Sequence, residues 1–478
     1  MFTRSLSTLL VIAFTGVASC AQTAPEYAAS EQYSASAGIG SVPQAQAASE
    51  LAETPLNVIF MIPDGFGPAS LTLGRGFKGE PLALDRMISG VSRTAATNSR
   101  VTDSAAGATA YSTGHKTYNG AIAVDTAGLP LATILEAAER AGLSTGLIAT
   151  SRITHATPAS YAAHVPRRSM EAQIAQQMLD QGIEVIFGGG RSNFIPRGEG
   201  GRRRDGKNLL ALADSLGYTV ALAMEAYEAI STTPALALLA DSHLEFEIDR
   251  DPTTQPSLAE MTAKAIDLLS GNEKGFFLMI EGSRIDHAGH ANDVAGHVHD
   301  ILAFDDAVRV ALDFAAQDGN TLVISAADHE TGGMTLGVRI GEQSYYDWRP
   351  DFIAGIQRSY EGLSNYIEAN PEADMAKLLR EDMNMPDLDD ALVQEMDSLF
   401  AASNIGAFYN ILSTELNERA RIGWTTGGHT GLDVNLASFG PGAERFTGSM
   451  ENAEVGQRVA ELLGYDLAAL TEEMRSEE

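Results

Sequence analysis

The chain has 478 residues, 44% of them hydrophobic, enough for one large α/β domain with insertions or for two domains. Asp and Glu outnumber Lys and Arg by 63 to 32, a formal net charge of −31. So acidic a surface argues against nucleic acid as a partner, since phosphate backbones are bound by basic faces. An enzyme of this charge that acts on anions needs a local positive charge, which metals supply.

At the N-terminus, Arg4 precedes an apolar run, Leu9 to Val17, that is too short to span a bilayer as a mature helix. It ends in Val17-Ala18-Ser19-Cys20, which resembles the bacterial lipobox, whose cysteine is lipidated and becomes the mature N-terminus. Residues 1–20 are therefore expected to be an export signal. The product would be a periplasmic or cell-surface lipoprotein anchored to a bacterial membrane through Cys20; one lipid-bearing residue tethers rather than spans. A plain signal peptide cut near the same place is the alternative. Cys20 is the only cysteine, so no intramolecular disulfide can form. Residues 21–53, rich in Ala, Ser and Gln and without Lys or Arg, read as a disordered tether. The globular part then spans 54–478.

Leu56–Ile62 is an apolar run between Pro55 and Pro63 and reads as a buried parallel strand, with Asp64-Gly65 at its end. Thr102-Asp103-Ser104-Ala105-Ala106-Gly107 places a serine between an acid and small residues that open a helix, Ala105 to Tyr111. A helix N-terminus offers unpaired N–H groups and partial positive charge, so a serine there can meet an anion with hydroxyl and backbone together. The small residues would let a charged substrate come close. The plainer reading is an ordinary N-cap.

Further strands are expected at Leu143–Thr150, leading to His155-Ala156-Thr157; at Gly182–Phe187, leading to Gly188–Gly190; at Gly275–Ile280, running into Glu281; and at Thr321–Ser325, ending in Asp328-His329. Helical patterns at Ala132–Ala141, Glu171–Asp180 and Leu258–Leu269 alternate with them. This alternation predicts an α/β fold, a central mostly parallel sheet with helices on both faces. Ligands in such sheets bind beyond the carboxyl ends of the strands, where these acids and histidines lie. Asp286 and His290, at i and i+4, face one metal if that turn is helical, and His429 stands exposed between glycines and Thr430. Mixed histidine and carboxylate ligands suit zinc; an all-oxygen set suits magnesium.

Taken together, these motifs resemble the alkaline phosphatase family, in the family's order: Asp64-Gly65, Thr102–Gly107, His155–Ala159, Ala163–Arg168, Glu281–His290, Asp328-His329 and Gly428–Gly431. The resemblance implies a phosphomonoesterase that forms a phosphoserine at Ser104 and releases inorganic phosphate, with two Zn2+ and one Mg2+. Asp286, His290 and His429 would hold the first zinc. Asp64, Asp328 and His329 would hold the second, with Ser104 as its nucleophilic ligand. Asp64, Thr157 and Glu281 would hold magnesium. Arg168 would fork onto two phosphate oxygens, aimed by Asp103. His155 and His287 stand where other members carry Asp and Lys; the first would reach magnesium through water and the second would sit near the phosphate. The superfamily also holds phosphodiesterases and sulfatases, but Thr157, Glu281 and Arg168 favour monoesters.

Several features fall outside this pattern. His115, His164, His243, His297 and His299 match no ligand position, and the last two are expected to be packing or surface groups on a helix from Val294. Arg202-Arg203-Arg204 reads as a solvated loop and Gly188–Gly190 as a turn. Residues 340–425 read as an inserted helical subdomain, crown-like by the resemblance. One helix there would follow an Asp387 cap and present Leu388, Leu392, Met396, Leu399 and Phe400 on one apolar face; the insertion is expected to form a small satellite core, with its aromatics lining a site entrance as the alternative. The family is commonly homodimeric; the insertion leaves the contact surface open.

Overall fold

The computed structural model describes residues 54–477; the expected signal segment, Cys20 and the tether lie outside the described residues. Its centre is a ten-stranded sheet. In chain order the strands are β1 (Asn57–Ile62), β2 (Ile88–Arg93), β3 (Ser144–Arg152), β4 (Val185–Gly189), β5 (Thr219–Ala221), β6 (Ala235–Leu238), β7 (Phe276–Glu281), β8 (Thr321–Ala326), β9 (Val434–Phe439) and β10 (Gly448–Glu451). Across the sheet they lie in the order β10-β2-β9-β8-β1-β7-β3-β4-β6-β5. Only β9 runs antiparallel to both neighbours.

Every residue of β1, β7 and β8 is buried, because helices cover both faces. Alternation along a strand divides the side chains between two cores. Ile59 and Met61 of β1, with Phe276, Leu278 and Ile280 of β7, pack into one. Val58, Phe60 and Ile62, with Phe277 and Met279, pack into the other. The continuous apolar runs seen in the sequence are thus two interleaved faces. β1 lies between β8 and β7, with β3 next, so the four strands whose ends carry the candidate ligands are adjacent. Ile62 and Ala149 both stand opposite Glu281 in register.

The first three helices that close over this end are short. α1 (Ser104–Thr113) has Asp103 as its N-cap and ends at left-handed Gly114. α2 (Ala156–Ala162) follows β3. α3 (Arg284–Ala291) and α4 (Val294–Asp318) are separated by left-handed Asn292 and by Asp293, which caps α4. α1 is buried along its whole length. Its small residues serve packing as much as access: a Cβ on Gly107 would come within 2.9 Å of the Asp328 carbonyl oxygen. The run that looked like clearance for a substrate is also clearance for the end of β8.

Between residues 340 and 425 the chain forms helices that include α5 (Tyr360–Ala369), α6 (Asp390–Ala401) and α7 (Ile405–Ala420). α6 is capped by Asp389; Asp387 instead meets Arg419 at 3.2 Å. Leu388 and Met396 are buried as expected, Leu392, Leu399 and Phe400 only partly, and Val393 completes the face. These residues do not form a satellite core. They join the cluster that contains α4 and the sheet. α5 is fixed at its N-terminus, where Asp249 accepts the Ser359 N–H at 3.1 Å and Asp293 accepts the Tyr360 N–H at 2.7 Å. Two carboxylates at the positive end of a helix are well placed.

Asp293 therefore starts α4 and holds α5 at once, accepting the Ala295, Gly296 and Tyr360 N–H groups. Asp293→Ala should cost about 2–4 kcal/mol, one cap plus a buried donor left unmade. Asp293→Asn, which keeps one acceptor oxygen, should cost less. Urea midpoints of the two variants check this; equal midpoints would mean that the carboxyl contributes nothing to either helix.

Candidate metal and phosphate site

Strand ends and helix starts bring the site residues together. Asp64 leaves β1, and Gly65 turns the chain at once with φ +72°; a Cβ there would sit 2.8 Å from the Asp286 Cα. Glu281 is the last residue of β7. Asp328 and His329 follow β8 and continue into a two-residue strand, Glu330-Thr331, paired antiparallel with His429-Thr430. That ribbon stacks the His429 ring on His329, centroids 3.6 Å apart. α3 carries Asp286, His287 and His290.

Three groups of donors converge: Asp286, His329 and His429; Asp64, Asp328 and His329; and Asp64, His155 and Glu281, with donor atoms of each group within 4.8 Å of one another. His290 completes the first, its Nε2 lying 3.1 Å from His429 Nε2 and 3.4 Å from an Asp286 oxygen. The other nitrogen of each ring is already committed: His290 Nδ1 to the Gly427 carbonyl at 2.7 Å, His429 Nδ1 to the Thr102 carbonyl at 2.8 Å. Backbone carbonyls accept only, so both rings carry protons on Nδ1 and turn Nε2 inward, the arrangement usual for metal-ligating histidine; His290 Nε2, beside Asp286, becomes a ligand when it gives up its proton. Ser104 Oγ lies 3.2 Å from His329 Nε2.

These atoms fit metal ions. Both oxygens of Asp64, one each of Glu281 and Asp328, and the Thr157 hydroxyl are buried without a hydrogen-bond partner. Native interiors seldom leave such groups unpaired. The electrostatics agree. Burial, reinforced by the neighbouring Asp328, Asp286 and Glu281, holds Asp64 well above the usual carboxylate range. Burial pushes Asp328 up to about 7 and Glu281 to about 7, the latter partly offset by nearby Ser283 and Thr157. Asp286 is the exception: burial opposes its ionisation, but the His290 hydrogen bond and the charges of His329 and His290 prevail and hold it low. The same bond raises His290 to about 9. Burial, then His429, keeps His329 well below its ordinary value, and burial with Arg168 does the same for His155.

Beside these donor groups lie Ser104, Asp103 and Arg168. Ser104 is the first residue of α1, and Asp103 performs both roles that its sequence position allows: it caps α1 by accepting the Ala106 N–H at 3.0 Å, and its other oxygen accepts from Arg168 at 3.2 Å. Arg168 also donates to His155 Nε2 at 3.0 Å. His287 packs its ring 5.6 Å from His155.

His243, outside every sequence motif, is also here, 4.4 Å ring to ring from His287 and 5.8 Å from His155. Its one signal in the sequence was its place just after β6, another strand ending at this edge. Thr331 was also missed; its hydroxyl donates to Asp286 and lies 3.2 Å from His329 Nδ1. Of the other unassigned histidines, His297 is buried between Ser70 and the Ile285 carbonyl, and His299 packs on Phe77. Arg203 is not solvated. It is 2% exposed and donates to the Ala172 and Asn193 carbonyls and to Asp205, bracing its loop.

Comparison with known proteins agrees with this geometry. The family profile for alkaline phosphatase matches residues 56–465. The alkaline phosphatase of Schizosaccharomyces pombe is 38% identical over 88% of this chain and 84% of its own length. The solved cold-active alkaline phosphatase of a psychrophilic Shewanella is 34% identical, with a TM-score of 0.77 over 85% of this chain and 99% of its own. An alkaline phosphatase of the Antarctic bacterium TAB5, 30% identical with a TM-score of 0.65 over 86% of this chain and 99% of its own, is known as a histidine-to-aspartate variant with magnesium bound in its M3 site. Among the described residues no helix is long and apolar enough to cross a membrane. The chain belongs to the alkaline phosphatase family of phosphomonoester hydrolases.

Proposed function

We propose that hydrolysis proceeds through a phosphoserine at Ser104 in a site holding two Zn2+ and one Mg2+. The observation that carries this reading is the Ser104 hydroxyl at a helix start, 3.2 Å from His329 Nε2 and beside buried, unpartnered carboxylate oxygens. Asp286, His290 and His429 hold the first zinc; Asp64, Asp328 and His329 hold the second beside Ser104; Asp64, Thr157 and Glu281 hold magnesium. When bound, these ions supply Lewis-acid charge that makes the serine hydroxyl easier to deprotonate and stabilises the departing oxygen.

The residues supply the rest. Arg168 donates two N–H groups to the phosphate, with Asp103 fixing the plane of its guanidinium. Ser104 Oγ passes its proton to solvent water and attacks phosphorus; the Oγ–P bond forms as the bond to the leaving oxygen breaks, and that oxygen takes up a proton from solvent to depart as the alcohol. The first turn of α1 adds partial positive charge. Water then cleaves the Oγ–P bond, returning Ser104 and releasing inorganic phosphate. His287 lies near the phosphate and His155 behind Arg168. We take the family domain to run from residue 54, with 340–425 inserted in it, and residues 1–53 as an export signal and tether that anchor the protein through lipidated Cys20.

Ser104→Ala should lower turnover by roughly a thousandfold or more and abolish acid-quench trapping of label from a radioactive phosphomonoester. Label still attached to the variant protein would remove Ser104 as nucleophile.

Metal binding should displace protons in two stages. Below about 7 the Glu281 and Asp328 carboxyls hold protons, and below about 9 so does His290, whereas an ion takes only the deprotonated ligand. Apparent affinity should rise with pH and level off above about 9. Protons released per ion, from calorimetry in buffers of different ionisation enthalpy, should fall near 7 and again near 9. Release that stays flat over this range would contradict the ligand set.

A further inference from the structure

Arg284 lies in the middle of the ligand-bearing run yet has no role in the chemistry above. It is among the largest fully buried side chains, 1% exposed. Its Nη2 donates to Glu361 Oε1 at 2.7 Å and its Nη1 to His287 Nδ1 at 3.0 Å. Its Cζ stands 3.7 Å over the Phe246 ring, and its Nε–H is buried without a partner. The guanidinium is therefore held by two hydrogen bonds, one to the insertion and one to the site. Glu361 is in the first turn of α5, and Asp249 and Asp293 pin the start of that helix.

A guanidinium has donors only, so His287 Nδ1 must accept. A neutral imidazole that accepts at Nδ1 carries its proton on Nε2. We propose that Glu361 and Arg284 are positioning residues that fix His287 as the Nε2–H tautomer, so that it meets the phosphate as a hydrogen-bond donor. The proposal rests on the reading that His287 faces the phosphate. The ring cannot easily turn over, because His243 and His155 pack against it at 4.4 and 5.6 Å. Without Glu361 the buried cation loses its paired carboxylate and turns towards water or another acid. His287 Nδ1 is then free, and both tautomers populate. A helix of the insertion thus sets the donor pattern of a phosphate-facing side chain that it does not touch.

The test uses metal-loaded full-length protein with 15N-labelled histidine. Long-range 1H–15N spectra, with His287 assigned by difference against His287→Ala, should show its Nδ1 unprotonated and its Nε2 protonated. Glu361→Ala should give a mixed signature with unchanged metal content. The KM for a monoester and the Ki for inorganic phosphate should rise together by roughly tenfold, the loss of one hydrogen bond to a charged group, while kcat moves little. Glu361→Gln, which is isosteric and keeps an acceptor oxygen, should fall between, and Glu361→Asp should recover part of the loss. A wild-type His287 protonated on Nδ1, or a Glu361→Ala protein with unchanged tautomer and KM, overturns the proposal. If Glu361→Ala shifts the tautomer but His287→Ala leaves the phosphate Ki unchanged, the relay stands and the placement of His287 beside the phosphate is what fails.

Discussion

Asp64, Glu281, Asp286 and Asp328 lie buried together at the ends of adjacent strands and the start of the helix that follows, and this crowding of like charge is the constraint on which the architecture depends. Two unit charges 4 Å apart repel by roughly 4 kcal/mol even at an effective dielectric of 20. A folded domain has a net stability of only about 5–15 kcal/mol. Four ionised carboxylates therefore cannot be kept there unaided. Raised pKa values at Asp64, Glu281 and Asp328 are one response, and divalent cations are the other. The parallel sheet makes the crowding tolerable, because packed β1, β7 and β8 fix the positions from which these acids project.

The edge formed by Ser104, Asp103 and Arg168 uses fewer parts, several of them twice. Asp103 caps α1 with one oxygen and holds Arg168 with the other, so the geometry of the helix start and of the guanidinium are set by one carboxylate. Arg168 in turn touches His155, and His155 packs against His287 and His243. Asp293 plays a comparable double part farther out, between α4 and α5. Such sharing makes the site compact, and it also means that replacing one side chain perturbs both local structure and chemistry.

Much of this was legible in the sequence because its physics is local. Apolar runs ended by Asp64, Glu281 and Asp328-His329 marked buried strands with candidate ligands at their ends, and bringing Asp286 and His290 together needed only a turn of helix. His243 was not legible: Asp241-Ser242-His243 has no pattern of its own, and only the β4-β6 pairing brings it to His287. Arg203 was misread because triple arginine in a Gly-rich loop has the composition of a solvated turn, whereas three acceptors of the fold enclose it. The insertion's apolar stripe was recognised, but periodicity cannot tell which core a stripe joins. Its union with the α4 core is a property of the tertiary structure.

The ribbon that pairs Glu330-Thr331 with His429-Thr430 has a consequence for the order in which the molecule is completed. The residues it joins are separated by the whole inserted stretch, while Asp64 sits near the beginning of the described chain. No portion of the polypeptide that stops short of residue 429 contains every candidate ligand, and the histidine that stacks on His329 is the last of them in the chain. A chain emerging from its N-terminus can lay down β1, β3, β7 and β8 and still lack a finished centre. The set of candidate ligands is thus complete only where the chain has passed through the insertion and turns towards β9.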